Sequence, residues 1–230
     1  RGLGDVYKRQ RYTQLPVSRL LAQENKLKSE SCIQYNVGAQ YEGDGRFYKA
    51  ELYYKKYDRL ALVEKGTVDA AEVLTSGGYG YSKGFDLFFN DRVLLKNLEY
   101  QLSYTYNIAK RKFQEYTELT TPQYATRHNA SLVLKYSIPR IGTIVGLTNR
   151  FSSGRPYHNP DLPGLMNDHV KPYNSLDLGL TFLPSKKVII HASATNILCR
   201  KNEFGRVNNK AILALSLIHI SEPTRRRGIS

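Results

Sequence analysis

The densest gathering of side chains able to do chemistry is the stretch from Ser153 to Lys171. There Arg155, Tyr157, His158, Asp161, Asp168 and His169 fall among Pro156, Pro160 and Pro163, with Pro172 just beyond. Prolines reduce the freedom that an ordered loop must surrender, which suits a rigid ligand-contacting surface. A solvated loop covering the rim of a larger structure accounts for the same residues equally well. The two histidines and two aspartates are metal-ligand types, but their spacing matches no compact ligand motif, so no metal is assigned. Catalysis has no visible carrier: there is no Gly-x-Ser-x-Gly elbow, no Cys/His pair and no carboxylate pair at an informative spacing, so the chain reads as a non-enzyme with no cofactor.

Three other patterns have simpler accounts. Gly77, Gly78, Gly80 and Gly84 stand in GGYGYSKG, which is not GxGxxG, and a strand pattern follows where a phosphate-binding helix is required. They are expected to mark the start of a strand. Asn129-Ala130-Ser131 matches a glycosylation acceptor but lies inside a predicted strand. Cys32 and Cys199 are the only cysteines, too few for a disulfide scaffold and outside any metal-binding spacing, and read as small fillers.

The elements that must position these residues read as strands. From Glu99 to Ile108, Tyr100, Leu102, Tyr104, Tyr106 and Ile108 alternate with Gln101, Ser103, Thr105 and Asn107, a segregation that no helix produces. The pattern recurs in Ile33, Tyr35, Val37, Ala39 and Tyr41, in Ala130, Leu132, Leu134, Tyr136 and Ile138 (with Val133 out of step), and in Leu176, Leu178, Leu180 and Phe182. Glu51, Asp86, Arg150 and Asp177 fall on the polar side, which a sandwich would turn outward and a large barrel would turn towards its lumen or an enclosed plug. A plug is the better reading, because unpaired buried charge is costly and a second surface supplies partners.

The links between strands alternate in length. Asp44-Gly45, Pro139 to Gly142 and Pro184 to Lys187 are tight, and Asn90 to Asn97 is somewhat longer. Long links at Asp58 to Gly77, Ala109 to Gln123 and Ser153 to Lys171 lie between them. This is the arrangement of an up-and-down outer-membrane barrel, with short periplasmic turns and long external loops. Eight strands are predicted, at 29–42, 46–57, 78–89, 98–109, 124–138, 142–153, 172–183 and 187–199, with a ninth starting near Asn208. Most are far longer than the roughly 5 to 6 residues usual in globular proteins. The fold class is therefore all-β: an antiparallel, incomplete transmembrane barrel.

Composition agrees. No run of about 18 apolar residues exists to make a spanning helix, while a mean hydropathy of −0.47 still permits spanning strands. The aromatic set is 18 Tyr, 8 Phe and no Trp, and tyrosine suits a ring in apolar surroundings with a hydroxyl in water. The net charge of +14 first suggests nucleic acid. Each end contributes +2, however, and the remaining +10 is spread over many turns, so a solvated surface is favoured and no nucleic-acid partner is assigned.

Several segments resemble the C-terminal barrel of TonB-dependent receptors, in particular Bacteroidetes-type members. LKSESCIQYNVGAQYEGDGRFYKAELYYKKY (Leu27 to Tyr57) resembles a strand pair of that family, and GYSKGFDLFFN (Gly80 to Asn90) a strand carrying Gly, an apolar residue and an acid. NRFSSGRPYHNP (Asn149 to Pro160) resembles a strand leaving the membrane at a Ser-Gly-x-Pro-Tyr corner. LDLGLTF (Leu176 to Phe182) with ASATNIL (Ala192 to Leu198) resembles the penultimate hairpin, although Cys199 departs from its ending. The resemblance covers roughly residues 11 to 208. It implies a barrel of about 22 strands with a plugged lumen. It also implies outer-membrane lipid, an N-terminal plug and TonB as partners, and energised uptake of a scarce ligand of the ferric siderophore, cobalamin or oligosaccharide class. No stretch here matches the family's plug, TonB box or aromatic-ended last strand, so the chain is expected to be a C-terminal portion that by itself neither gates nor engages TonB. The alternatives are a plug-less porin or barrel enzyme, and a soluble β-sandwich binding module.

GDVYKRQ (Gly4 to Gln10) and LSLIHISEPTRRR (Leu215 to Arg227) resemble in-frame translation of sequencing-adapter DNA. The expected division is 1–10 non-native, 11–214 barrel and 215–230 non-native.

Overall fold

A computed structural model of the chain describes residues 2–14, 27–65, 72–185, 187–207, 210–213 and 224–225. Its body is one antiparallel sheet in which successive long strands pair side by side. The order is β1 (Gly2–Gln14), β2 (Glu30–Gly43), β3 (Arg46–Lys65), β4 (Glu72–Leu95), β5 (Leu98–Lys112), β6 (His128–Ile138), β7 (Thr143–Ser152), β10 (Tyr173–Ser185) and β11 (Val188–Ala194), with β14 (Thr224–Arg225) at the far edge. Two small hairpins stand apart: β8 (Pro156–Tyr157) with β9 (Asp168–His169), and β12 (Glu203–Val207) with β13 (Lys210–Leu213). The sheet is open among the described residues, and this one continuous sheet excludes the two packed layers of a sandwich.

Because partners across an antiparallel ladder share a face, the register sorts the side chains. Val37, Leu52, Phe85, Tyr106 and His128 form one row of the apolar face. Gly38, Glu51, Asp86, Thr105, Asn129, Ser152 and Tyr173 form one row of the polar face. Val133 lies on the polar face, opposite Gln101 and Thr148. The apolar face is unpartnered: Val37, Leu52, Tyr54, Tyr136, Leu178, Leu180 and Phe182 are all exposed. A contiguous surface of this size marks a membrane or partner contact.

The tight turns form for local reasons. Asp44 and Gly45 both have positive φ, 51° and 77°, the two-residue hairpin turn that Asp-Gly favours. Asn97 takes φ 62° between β4 and β5. Pro139–Ile141 form a 3₁₀ turn closed by Gly142 at φ 60°, where a Cβ would lie 2.8 Å from the Leu183 carbonyl oxygen.

Several boundaries differ from the sequence expectation. The predicted link 58–77 is largely strand: β3 and β4 pair on to Lys65 and Glu72, with 66–71 outside the described residues. The ladder is irregular around Arg59, whose φ is 60°, and Leu60, Ala61 and Leu62 are buried where the segment after β5 folds back on them. There the Gln114 amide donates to the Ala61 carbonyl and the Val63 amide to the Gln114 carbonyl, each at 2.7 Å. Apolar residues in the supposed loop were thus a sign of packing. At the other end β4 runs to Leu95, since Asp91 accepts the Val93 and Leu94 amides at 2.8 Å and the Tyr48 hydroxyl, so the expected link 90–97 shrinks to Lys96-Asn97. β6 begins at His128 rather than 124, and β11 ends at Ala194 rather than 199. The strand expected near Asn208 is β13, and it pairs with β12 instead of extending the sheet. β1 starts at Gly2, so the backbone of 2–10 pairs with β2, while all of 215–230 except Thr224 and Arg225 lies outside the described residues.

Candidate functional site

The polar face carries a set of short side chains with charges held between them. Glu51 on β3 stands opposite Asp86 on β4. The Asn36 amide donates to Glu51 at 2.6 Å, and Lys49 pairs with Glu51 at 2.7 Å. Thr105 donates its hydroxyl to Asp86 at 2.6 Å. Two strands further on, Arg150 pairs with Asp177 at 2.8 Å, and Asp177 also accepts the Ser175 hydroxyl and the Asn196 amide, each at 2.8 Å. All four charged residues singled out from the sequence lie on one face, and each already has partners within the sheet. The argument that they need a second surface to be satisfied therefore lapses.

A strip of small residues lies towards the long-link end of this face, on β4. A Cβ on Gly80 would come 2.5 Å from the Lys110 carbonyl oxygen and 2.7 Å from Cγ of Arg111. One on Gly84 would come 1.9 Å from the Tyr106 carbonyl oxygen and 2.8 Å from the Tyr53 hydroxyl. The glycines are mid-strand residues across which neighbouring side chains lie, not the beginning of the strand. The Arg111 guanidinium sits 3.9 Å from the Tyr57 ring centre and 5.7 Å from that of Tyr124, a cation–π arrangement. Nothing in the sequence singled out Arg111, Tyr57 or Tyr124. The signal was glycine at 78, 80 and 84, an even spacing on the face where bulk is missing.

In the loop 153–171, Pro156 and Tyr157 pair with His169 and Asp168 as the hairpin β8–β9. Tyr157 is 3% exposed and its hydroxyl donates to Asp168 at 2.5 Å, while the Asn159 side-chain amide donates to the same carboxylate at 3.1 Å. The Tyr157 bond above all, then the His169 amide and Asn159, hold the Asp168 carboxyl below its ordinary range. The same bond and burial push the Tyr157 phenol up. Asn167 ties the loop tip by donating to the carbonyls of Asn159 at 2.9 Å and Leu162 at 2.6 Å. The structure thus gathers Arg155, Tyr157, Asp168 and His169 at the hairpin and leaves His158 and Asp161 on the exposed outer part of the loop. Tyr157 spends its hydroxyl on Asp168, whose carboxylate is also taken up by the Asn159 side chain and the His169 amide.

The β12–β13 hairpin folds over the polar face beside this loop. Phe204 stacks on Tyr173 with ring centres 5.7 Å apart, Arg155 lies 5.4 Å over Phe204, and Arg206 lies 5.7 Å over Tyr157. Asn202 locks it by accepting the Asn174 amide and donating to the Asn174 carbonyl, at 3.0 and 2.9 Å. Beneath is a cavity of about 320 Å³ whose lining includes Ser103, Thr105, Asn129, Arg150, Tyr173 and Phe204. Hydroxyls, an amide, a guanidinium and aromatic edges converge there, as in sites that orient a polar solute. Sequence reading missed Phe204 and Arg206, because their partners are 31 and 49 residues away in the chain.

Comparison with known proteins follows the same lines. Residues 3–197 match the family model described as TonB dependent receptor-like, beta-barrel. No curated protein matches. Among solved structures, the ferric-catecholate import receptor Fiu from E. coli K12 superposes with a TM-score of 0.69 at 12% identity, over 88% of this chain and 30% of that one. The copper transporter OprC gives 0.68 at 16%, over 90% and 34%. The ferric yersiniabactin uptake receptor FyuA from Yersinia pestis gives 0.63 at 15%, over 81% and 28%. The chain therefore spans about a third of the length of these structures, and the likeness is one of fold.

Proposed function

Because the chain belongs to the TonB-dependent receptor β-barrel family, we propose that it forms part of the wall of an outer-membrane receptor that imports a scarce ligand with energy delivered through TonB. Residues 11–214 supply that wall, and 1–10 and 215–230 are foreign to it. The apolar face meets lipid, the tight turns face the periplasm, and the long links face outside. The observation that carries the reading is the division of the sheet: an unpartnered apolar face on one side, and on the other a hydrogen-bonded polar face with a cavity roofed by external loops.

The cargo class is that of the family: ferric siderophore, cobalamin or oligosaccharide. Arg150, Arg155, Tyr173 and Phe204 make the first contacts in the cavity. His158 and Asp161, exposed on the loop, meet the ligand earlier. The test begins with the complete reading frame. Its deletion is expected to abolish growth on one cargo, with loss of the same growth when TonB is removed and restoration by the intact gene but not by a version with Arg150→Ala and Arg155→Ala together. Growth that depends on the gene but not on TonB would replace this reading with that of a passive pore.

A further inference from the structure

The ladder that forms the polar face continues past the ends of β7 and β10. Ser152 faces Tyr173 in that pair and Pro156 faces His169 in the β8–β9 hairpin, and both pairings belong to one register, which sets Gly154 opposite Lys171. On its other side Ser152 faces Asn129, and the Ser153 amide donates to the His128 carbonyl at 2.8 Å, which sets Arg127 opposite Gly154. Residues two apart along a strand share a face. Arg127, Gly154 and Lys171 therefore form the row next above Asn129, Ser152 and Tyr173, on the polar face. The two cations stand about 10 Å apart, across a residue without a side chain. Bulk is excluded at that residue, since a Cβ on Gly154 would lie 1.9 Å from the Val170 carbonyl oxygen.

This row lies where two cavities meet. The cavity of about 320 Å³ beneath Phe204 has Arg155 and Lys171 in its wall, and a second, of about 420 Å³, has Asn107, Thr121, Arg127 and Gly154. Ser153 and Val170 belong to both walls. Arg127, Arg155 and Lys171 make no ion pair among the described residues. Among those residues Glu203 is the one acid on either wall, and Arg206 holds it at 3.2 Å. Ser103, Ser131 and Thr121 add hydroxyls, Asn107 and Asn129 add amides, and Phe204 adds an aromatic surface that is 44% exposed.

We propose that the paired cavities take an acidic oligosaccharide, with one uronic-acid-type ring in each and a carboxylate held between Arg127 and Lys171 over Gly154. This deepens the receptor reading above, on which it rests, by choosing among its cargo classes. Hydroxyls and amides pair with the ring hydroxyls, Phe204 meets the C–H face of a ring, and the cations meet carboxylates in charge-assisted hydrogen bonds. A neutral sugar chain would strip water from three cations and return no counter-charge, which discriminates against it. A metal chelate or a corrinoid is a single compact body, whereas two chambers that share a wall accept successive units of a chain.

The test titrates the full-length receptor, in detergent micelles and by calorimetry, with a panel of uronic-acid tetrasaccharides of different linkage, each matched with its carboxyl-reduced form. At least one acid is expected to bind at least about tenfold more tightly than its reduced partner. R127Q with K171Q should erase that preference. The exchange of R127K with K171R should keep it, as should R140Q in the turn Pro139–Ile141. The proposal is overturned if no acid binds, if acid and reduced forms bind alike, or if the two-Gln variant keeps the preference. Growth that needs both the gene and TonB, on a cargo that is not an acidic saccharide, would overturn it too and leave the receptor reading standing. Should the two-Gln variant fail to insert, the comparison of acid with reduced form on the native receptor still decides.

Discussion

Two glycines on the same face make opposite predictions. At Gly84 an added methyl would lie 1.9 Å from the Tyr106 carbonyl oxygen, where carbon and oxygen ordinarily approach to about 3.3 Å. The obstacle is main chain, inside a ladder running from Tyr79 to Asp91 against Lys112 to Tyr100, so no rotamer change relieves it. Overpacking of this sort costs about 1–3 kcal/mol, and loss of glycine's freedom in the unfolded chain returns about 0.4–1 kcal/mol. Gly84→Ala is therefore expected to destabilise by about 1 kcal/mol or more. At Gly146, also mid-strand on the polar face, the nearest atom to a Cβ is the Gly179 carbonyl oxygen at 3.8 Å. Gly146→Ala should be neutral or stabilising by about 0.5 kcal/mol. The chain has no tryptophan, so the folded fraction is better followed by gel mobility of unheated samples across a urea series in lipid vesicles, using the full-length receptor. A Gly84→Ala protein as stable as the parent would refute the reasoning. So would its rescue by Tyr53→Ala, because that side chain is the lesser of the two obstacles.

Further outcomes follow from the same geometry. Asp177→Ala leaves Arg150, Ser175 and the Asn196 amide without their acceptor. With Arg150 57% exposed the loss should be only about 1–2 kcal/mol, read by the same urea series, and a double-mutant cycle with Arg150→Ala should give coupling below about 1 kcal/mol. The Asp168 carboxyl is held low, so its contribution to the β8–β9 hairpin is full above about pH 4 and disappears as pH falls through the lowered folded value. Tyr157, held high, contributes below about pH 10 and ceases to as pH rises through its raised value. Amide exchange at His169, compared with an Asp168→Asn variant in the same buffers, should show protection that the variant lacks between those limits. Phe204→Ala removes the stack on Tyr173 and the seat of Arg155, and should open 200–207 to limited proteolysis while leaving the sheet intact. Cys199 is exposed beyond β11 and should react with a membrane-impermeant maleimide on intact cells, ahead of the half-buried Cys32; reaction only after permeabilisation would reverse the sidedness.

What was legible in the sequence is what a period of two can carry. Alternation in 29–42 and 98–109 fixes which side chains share a face, and the register then brings Glu51, Asp86, Arg150 and Asp177 to the side assigned to them. Turn chemistry was equally local, since Asp44-Gly45 and Pro139 to Gly142 announce themselves by residue type. Strand ends were less so. Leu60 to Leu62 looked like part of a polar loop, because the segment that covers them, around Gln114, is more than 50 residues away.

The site fails to show in the sequence for a related reason. Charge and residue type identified Tyr157 and Asp168, yet the two bond to each other, and what remains available beside the cavity is Arg155 against Phe204. The roof of the cavity comes from a hairpin whose own sequence, Glu203 to Val207, shows neither strong alternation nor a glycine-marked turn. Its placement is decided by two pairings, Asn202 with Asn174 and Phe204 with Tyr173, each joining positions about 30 residues apart. A residue's chemistry says what it can bind. Whether it is free to bind depends on which neighbour reaches it first, and on an open polar face that neighbour arrives from a loop. The wall of such a barrel is therefore legible one strand at a time, whereas its binding surface emerges only when loops from different hairpins meet.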